Sequence, residues 1–357
     1  MDIIESTKAY EAWLSRQIPL IRADLNRKHM AMARSPFPFL RATFYRWSQL
    51  WDEACPDLAA SPALLAVGDL HVENFGTWRD AEGRLVWGIN DFDEAARMPY
   101  TIDLVRLAAS AILARADQAL TISAAIACAA ILKGYRDVLD KGGVPFVLEE
   151  DHPKLRQLAL GAQRDPGHFW AKSENWKVDR SVPKRVRTLI TRELPKGASL
   201  IRVVHRVAGL GSLGRRRYVA LASWRDGMVA REGKQMVPSA YRWVAGKSRG
   251  RIRYDEIMAN AVRCPDPFVR VEDGWLLRRL GPHCSRIELA DLPTRRDEQH
   301  LLEQMGRETA NIHLGSPDAI PAVKADLVRR KPNWLLAAAE TMARATKNDF
   351  KDWKAGR

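Results

Sequence analysis

The chain has 357 residues, of which 46% are hydrophobic and 28% charged, so it can bury a sizeable core and has the composition of a globular protein. Its 57 Lys and Arg residues against 43 Asp and Glu residues give a formal net charge of +14, which favours anionic partners such as nucleotides or nucleic acid. The four cysteines are too widely spaced for a zinc site or a disulfide framework, and the N-terminus lacks the pattern of a secretory signal, so we expect a cytoplasmic location.

The first 196 residues are predicted to be mainly helical. Helical periodicity covers residues 6–34 and returns at residues 40–51. Two short apolar runs, at residues 64–67 and 84–89, predict strands that lead into two polar motifs. Residues 103–132 predict two Ala-rich core helices, and their weakly polar stretch of about 14 residues is too short to cross a bilayer, so no membrane partner is expected.

The two polar motifs carry the residue types of a phosphoryl-transfer site. In the first, Gly68-Asp69-Leu70-His71-Val72-Glu73-Asn74, an Asp is followed five residues later by an Asn. The second, Asn90-Asp91-Phe92-Asp93-Glu94, supplies further carboxylates. In such a site one carboxylate accepts the proton of the attacking hydroxyl, while an amide and another carboxylate hold the Mg²⁺ that bridges nucleotide phosphates.

From about residue 197 the pattern changes to that of a sheet, and after Pro293 it becomes helical again. We therefore divide the chain into a helical part with both motifs (1–196), a sheet-rich nucleotide-binding part (197–293) and C-terminal helices that complete the helical part (294–357). The predicted elements of the later parts are strands at 200–207, 218–224, 228–231, 268–271 and 275–280, and helices at 254–263 and 297–313.

The sheet-rich part contains the pattern G-x-G-x-x-G at residues 209–214. A dinucleotide-binding fold needs this loop to open a helix, whereas a kinase-type site needs it to join two antiparallel strands. Residues 215–224 are β-branched and aromatic and end at the turn signal Arg225-Asp226-Gly227, which favours the second interpretation. The next strand leads to Lys234, placed to pair with nucleotide phosphates. The alternative is a glycine-bearing hairpin with an exposed lysine.

The order of these parts is reversed relative to ordinary kinases, where the glycine loop precedes the catalytic loop. Here the glycine loop follows Asp69 by more than 130 residues. Because the termini of compact domains often lie close together, a circular permutation preserves the core while it changes the order. The predicted helix at residues 304–313 is similar to the helix that precedes the catalytic loop in aminoglycoside phosphotransferases.

These motifs carry two resemblances. Residues 68–74, 89–95 and 100–107 are similar to the catalytic loop, the metal segment and the following Y-D-L-A-R-L of aminoglycoside and choline phosphotransferases. From about Ser35 to Gly315, the chain resembles a bacterial family of uncharacterised proteins, domain of unknown function 2252. The motifs shared with that family are S-P-F, G-D-x-H-x-E-N-F-G, N-D-F-D-E, G-x-G-S-x-G and K-x-x-x-P-S-A.

The resemblances imply an α+β, bilobal, protein-kinase-like fold that is circularly permuted, with an antiparallel sheet lobe inserted between two halves of a mainly helical lobe. They also imply the cofactors ATP and Mg²⁺ and a hydroxyl acceptor. Only about 11 residues separate Asp91 from Asp103, which leaves little room for a peptide-docking loop, so we expect a small-molecule substrate. Val67 stands where phosphotransferases usually have a His, and this predicts the loss of a contact that anchors the loop.

The implied roles follow residue by residue. Asp69 is the expected catalytic base, assisted by Asn74, and Asp103 is expected to support the loop. The expected Mg²⁺ ligands are Asn74 and Asp91. The expected nucleotide-binding residues are Gly209, Gly211, Ser212, Gly214, Lys234 and Glu256, the last as the carboxylate that orients Lys234.

Several residues and functions keep two interpretations. His71, Asp93 and Glu94 fit either site roles or structural ones, and Arg215, Arg216 and Arg217 fit either phosphate contacts or, more commonly, a solvated edge strand. The alternatives to a phosphotransferase are a nucleotide-binding pseudokinase that acts by interaction, and a basic nucleic-acid-binding protein. A Rossmann oxidoreductase would require a helix at residues 215–224.

Overall fold

The structure, a computed structural model, describes residues 1–149, 152–160, 165–246, 250–284 and 297–356. It is a mixed α and β protein with antiparallel sheets. In the described residues the chain begins with five helices: α1 Ile3–Gln17, α2 Arg22–Met32, α3 Pro36–Ala42, α4 Phe44–Ala54 and α5 Pro56–Ala59. The helix predicted at residues 6–34 is therefore two helices, because Pro19 cannot continue α1 and the chain is extended at Ile18.

Two small sheets carry the polar motifs. Strand β1 (Ala63–Ala66) pairs with β4 (Ala96–Pro99), and β2 (Phe75–Arg79) and β5 (Phe146–Val147) flank β3 (Leu85–Ile89). The two predicted apolar runs are confirmed as β1 and β3. Because each motif directly follows one of these strands, the sheet ends fix where the motifs begin.

The helices after the motifs form much of the core. They are α6 Thr101–Ala116, α7 Ala124–Lys141, α8 Pro153–Ala159, α9 Pro166–Glu174 and α10 Lys184–Arg192. Helix α7 packs closely on α13 (Glu298–His313), and glycines permit this contact. A Cβ atom at Gly134 would lie 2.0 Å from the Glu303 carbonyl oxygen, and one at Gly306 would lie 2.0 Å from that of Ile131. Any larger residue would separate the two helices.

The sheet-rich part is one five-stranded antiparallel sheet with the strand order β6-β7-β8-β10-β9. Its strands are β6 Ser199–His205, β7 Arg217–Trp224, β8 Gly227–Gln235, β9 Arg270–Glu272 and β10 Trp275–Leu280. Helices α11 (Ala240–Val244) and α12 (Tyr254–Asn260) lie between β8 and β9 in the chain. The predicted hairpin turn is confirmed: Arg225 and Asp226 both have positive φ, at 47° and 61°, as a type I′ turn requires.

Both ends of the chain share one hydrophobic core. After α13 come α14 (Ile320–Arg329) and α15 (Trp334–Ala355). The main core joins Trp51, Leu104 and Tyr135 to Met305 and Met342, and fully burying each such side chain stabilises the fold by roughly 1.5–3 kcal/mol.

The five-stranded sheet also has apolar clusters of its own, one of which contains Val203, Tyr218 and Trp275. The predicted boundary at residue 197 lies between α10 and β6, and the one at residue 293 lies outside the described residues. None of the helices in the described ranges has the length and apolar character needed to cross a bilayer.

Candidate active site

One pocket brings together the two polar motifs, the glycine loop and the N-terminal helices. Asp69, Asn74 and Asp91 line it with Gly209 and Gly211 of the glycine loop, although the loop is distant in sequence. The cavity measures about 80 Å³, whereas ligand pockets commonly measure about 300–1,000 Å³. The cavity is therefore too small for a nucleotide as it stands, and the glycine loop, which lines it, would have to move to admit one.

The first motif is anchored through the carboxylate of Asp103, at the start of α6. This fully buried group accepts hydrogen bonds from the backbone N–H groups of Val67 and Gly68, at 2.7 and 2.8 Å, and contacts His313 Nε2 at 2.9 Å. His313 Nδ1 lies 2.8 Å from the hydroxyl oxygen of Tyr135. Val67 thus brings no imidazole to the loop, as expected, but α13 supplies one through His313 at the same anchor.

Gly68 itself must be a glycine for two reasons. Its φ is +85°, a conformation that side chains disfavour, and a Cβ atom there would lie 2.7 Å from the carbonyl oxygen of Glu94. This close approach brings the two motifs together. A backbone hydrogen bond of 3.0 Å from Asn90 N–H to the Asn74 carbonyl oxygen also joins them.

Asp69 is held by a buried arginine that the sequence interpretation missed. Arg106 donates through Nε to Asp69 Oδ1 at 3.0 Å and makes a second contact with the same oxygen through Nη2. Burial raises the pKa of Asp69 to about 6, although Arg106 opposes this effect. A carboxylate with this pKa suits proton acceptance near neutral pH.

The glycine loop lies directly against Asp69. A Cβ atom at Gly211 would be 3.3 Å from Asp69 Oδ2, the oxygen that Arg106 does not hold. Asn74 donates through Nδ2 to the Asp69 carbonyl oxygen at 2.7 Å, which leaves its Oδ1 without a hydrogen-bond partner among the described residues. Asp69 Oδ2 therefore faces the glycine loop, and Asn74 lines the same pocket.

Lys234, on β8, reaches the second motif rather than a helix carboxylate. Its Nζ lies 3.3 Å from Asp91 Oδ1 and 2.5 Å from Asp93 Oδ1. Burial disfavours the ionised form of Asp91, but the charge of Lys234, a hydrogen bond with Asp93 and the charges of Arg278 and Arg217 together lower the pKa of Asp91 below its usual value. The pKa of Asp93 is raised, by burial and by the neighbouring charge of Asp91.

The expected pair between Lys234 and Glu256 does not form in the structure. Glu256 instead accepts a hydrogen bond of 2.7 Å from Nη1 of Arg253, the residue just before its own helix. Helix α12 extends only from Tyr254 to Asn260, shorter than predicted, and Arg253 neutralises Glu256 locally. Asp93, which the sequence left with two interpretations, occupies the partner position instead.

The prediction of a solvated edge strand for residues 215–217 is wrong for Arg215 and Arg217, which are buried. Strand β7 lies between β6 and β8, so it is not an edge. Arg215 contacts Asp93 Oδ2 at 3.3 Å and Glu94 Oε1 at 3.4 Å. It therefore ties the start of β7 to the second motif.

Arg217 orders the glycine loop from within. It donates through Nη2 to Ser212 Oγ at 2.9 Å. A Cβ atom at Gly209 would lie 2.9 Å from the same nitrogen. Gly209 and Gly214 have φ angles of +75° and +98°, which side chains rarely adopt. The predicted glycine-loop residues thus have conformational roles at both ends of the loop.

His71 supports the structural interpretation. Its Nδ1 accepts a hydrogen bond of 3.2 Å from the Glu73 backbone N–H, and its ring packs edge-on against Phe37. Both contacts stabilise the loop between Asp69 and Asn74.

The donors present fit a magnesium site of the nucleotide type. No group of three or more His, Cys, Asp or Glu side chains in the described part of the chain forms a metal cluster. Mg²⁺ beside a nucleotide needs only one or two carboxylates, because phosphates and water supply the remaining ligands. Asp91, whose side chain is 41% exposed, and Oδ1 of Asn74 provide hard oxygen donors of this type on one pocket.

The sequence interpretation missed Arg106 and Lys28, and of these two residues only Arg106 has a signal in the sequence. Arg106 lies three residues after Asp103, so both project from one face of α6 and both reach the first motif. Lys28 also lines the pocket, but it lies on α2, a helix that contains no recognisable motif. Only tertiary structure brings it to the site.

Part of the chain matches a known family of proteins. The family model described as "Uncharacterized protein conserved in bacteria (DUF2252)" matches residues 20–155. No curated protein and no solved structure matches the chain with significance. The family match covers both polar motifs, Asp103 and Arg106, and so supports the DUF2252 family for the part of the chain that contributes Asp69, Asn74 and Asp91 to the pocket.

Proposed function

We propose that this protein is an ATP- and Mg²⁺-dependent phosphotransferase that phosphorylates a hydroxyl group of a small molecule. The observation that carries the proposal is the convergence of Asp69, Asn74 and Asp91 with the glycine loop on one pocket, with Lys234 in contact with Asp91. Phosphoryl transfer is catalysed mainly by positioning and electrostatic stabilisation, and these are the groups it requires.

Asp69 is the proposed base. Arg106 fixes one carboxylate oxygen, and the other faces the glycine loop, where it would accept the proton of the attacking hydroxyl. Asn74 Oδ1 and Asp91 would hold Mg²⁺, which neutralises charge on the phosphates when it is bound. Lys234 would move from Asp91 and Asp93 to the nucleotide phosphates.

The sheet supports a kinase-like, permuted and bilobal architecture. The glycine loop joins the first two strands of the sheet and Lys234 lies on the third, as in protein kinases. The sheet is inserted in the chain between two parts that share one core, and His313 of α13 contacts Asp103 beside the first motif. A chain cut between that helix and the catalytic loop would have these features.

A small acceptor is favoured by the short path between the second motif and α6. Residues 96–99 of this path form β4, which pairs with β1 along its whole length. Little chain is left there to form a docking loop for a peptide.

The experiment is Mg²⁺-dependent ATP hydrolysis, followed as phosphate release, with water as the acceptor. We expect Asp69→Asn to lower the rate by about 100-fold or more, because general-base catalysis contributes about 10²–10⁴. Asp52→Asn, at an exposed position on α4, is the matched control and should hydrolyse ATP like the wild type. Equal rates for Asp69→Asn and wild type would contradict the proposal.

A nucleotide-binding pseudokinase is the second candidate. It is favoured by the small volume of the cavity and by the pairing of Lys234 with two carboxylates. This candidate predicts nucleotide binding with no hydrolysis that depends on Asp69.

A further inference from the structure

Lys28 of α2 is a buried cation that the proposed mechanism does not use. The residue is 4% exposed and lines the pocket, and its Nζ donates to the Gly211 carbonyl oxygen at 3.2 Å. The same ammonium group lies 6.0 Å from the ring centroid of Tyr10 and 5.7 Å from that of Tyr45. Among the described residues, no carboxylate lies within ion-pair distance of it.

Such an arrangement is costly unless a ligand uses it. A buried charge without a direct ion pair destabilises the fold, and burial lowers the pKa of Lys28 to about 8 although the more distant charges of Glu11, Glu94 and Asp69 oppose this effect. The other pocket cations are already engaged: Arg41 pairs with Glu73 at 2.5 Å, and Arg215 contacts Asp93. Among the cations that line the pocket, Lys28 is therefore the one with no carboxylate of the described residues within ion-pair distance.

Helix α2 is fixed to both ends of the glycine loop. The Ile21 N–H, just before the helix, donates to the Gly214 carbonyl oxygen at 2.8 Å, and Asp24 contacts His205, the last residue of β6, at 2.8 Å. Gly214 packs closely on Leu25: a Cβ atom at Gly214 would lie 2.5 Å from Cδ2 of Leu25. These contacts hold Lys28 at the centre of the loop, on Gly211.

We propose that Lys28 binds an oxygen of the terminal phosphate of a bound nucleotide, as a second phosphate lysine distinct from Lys234. The inference rests on the proposed function. The Gly211 carbonyl oxygen accepts a hydrogen bond from the ammonium group of Lys28, and the Asp69 carboxylate lies beside the Cα of the same glycine. A phosphate that enters between the loop and Asp69 would meet Lys28, which exchanges a neutral carbonyl for a charged acceptor and so gains a stronger hydrogen bond.

The test is titration calorimetry with Mg²⁺ and two nucleotides, ADP and the non-hydrolysable β,γ-imido analogue of ATP. In Lys28→Met, affinity for the ATP analogue should fall by about tenfold to a hundredfold, the range for one hydrogen bond to a charged group, while affinity for ADP stays within about twofold. Lys8→Met, on an exposed position of α1, should bind both nucleotides like the wild type.

Lys28→Gln serves as a second neutral variant that keeps a donor for Gly211, and the melting temperature without nucleotide checks that each variant folds. If the wild type binds both nucleotides and the Lys28 variants show no selective loss for the ATP analogue, the role of Lys28 is overturned and the proposed function stands. If the wild type binds neither nucleotide, the proposed function falls and the role of Lys28 falls with it.

Discussion

Asp69 was predicted from the sequence, but Arg106, the residue that holds its carboxylate, was not. The D-x-x-x-x-N spacing identified Asp69 and Asn74, and the structure places both on the pocket. Arg106, fully buried and lying about 5 Å from the rings of Phe44 and Trp47, determines which oxygen of Asp69 faces the glycine loop. Its role depends on a contact 37 residues away, for which the only local signal is its spacing of three residues from Asp103 on α6.

The raised pKa of Asp69 predicts the pH dependence of turnover. Asp69 must be ionised to accept a proton, so the rate of ATP hydrolysis should rise with pH through about 6 and level off above it. The measurement is the initial rate at saturating ATP and Mg²⁺ between about pH 5 and pH 8, where acid–base catalysis by such a group would be visible. A rate that is constant, or that falls with rising pH, would contradict Asp69 as the base.

At the scale of elements, the first motif depends on a helix from the far end of the chain. The resemblance predicted that Asp103 supports the loop and that the helix near residue 313 belongs beside it, and the structure places His313 on Asp103. Sequence could not predict that contact itself, because it requires the packing of α13 against α7 through Gly134 and Gly306.

Asp103→Asn should loosen this anchor. An amide offers one acceptor oxygen in place of two, so a donor among the Val67 N–H, the Gly68 N–H and His313 loses its partner. We expect a loss of about 1–3 kcal/mol in the free energy of unfolding, measured in urea, and slower ATP hydrolysis. Asp140→Asn, whose side chain is 72% exposed, is the control and should change stability by less than about 1 kcal/mol. Equal stability of the two variants would argue against the anchor.

The glycine loop makes a separate prediction. In Gly211→Ala, the new Cβ atom would lie 3.1 Å from the Arg41 carbonyl oxygen and 3.3 Å from Asp69 Oδ2, so the loop must move away from the base. We expect ATP hydrolysis to fall by about tenfold or more, since small displacements of positioned groups are costly in catalysis. Gly227→Ala, where the nearest atom would be 3.7 Å away, should retain activity. An active Gly211→Ala variant would show that the loop does not cover the reacting groups.

At the scale of the whole molecule, the sequence predicted the strands of the large sheet well and the contacts across the cleft less well. The loop between β6 and β7 is followed by a strand, Arg217–Trp224, so the helix required for a Rossmann oxidoreductase is absent at that position. By contrast, the partner of Lys234, the burial of Arg215 and the position of Lys28 all depend on which elements face each other. Such long-range juxtapositions leave no periodicity in the sequence.

The net charge of +14 keeps nucleic-acid binding as an alternative function. That alternative predicts that affinity for DNA or RNA falls steeply with salt, because each neutralised phosphate releases counterions. The phosphotransferase proposal predicts only weak, non-specific binding to a mixed-sequence DNA or RNA duplex, which is lost at physiological salt. Tight, strongly salt-dependent binding in a filter or fluorescence-anisotropy assay would favour the alternative.

The most direct test of the central claim is whether Mg²⁺ and ATP bind at this cleft. A ligand that binds only the folded state at 100 times its dissociation constant stabilises it by about 2.7 kcal/mol, which is readily seen as a rise in melting temperature. We predict such a rise for the wild type and for Lys351→Met, an exposed control on α15, and little or none for Lys234→Met. An unchanged melting temperature of the wild type in the presence of Mg²⁺ and ATP would contradict the account.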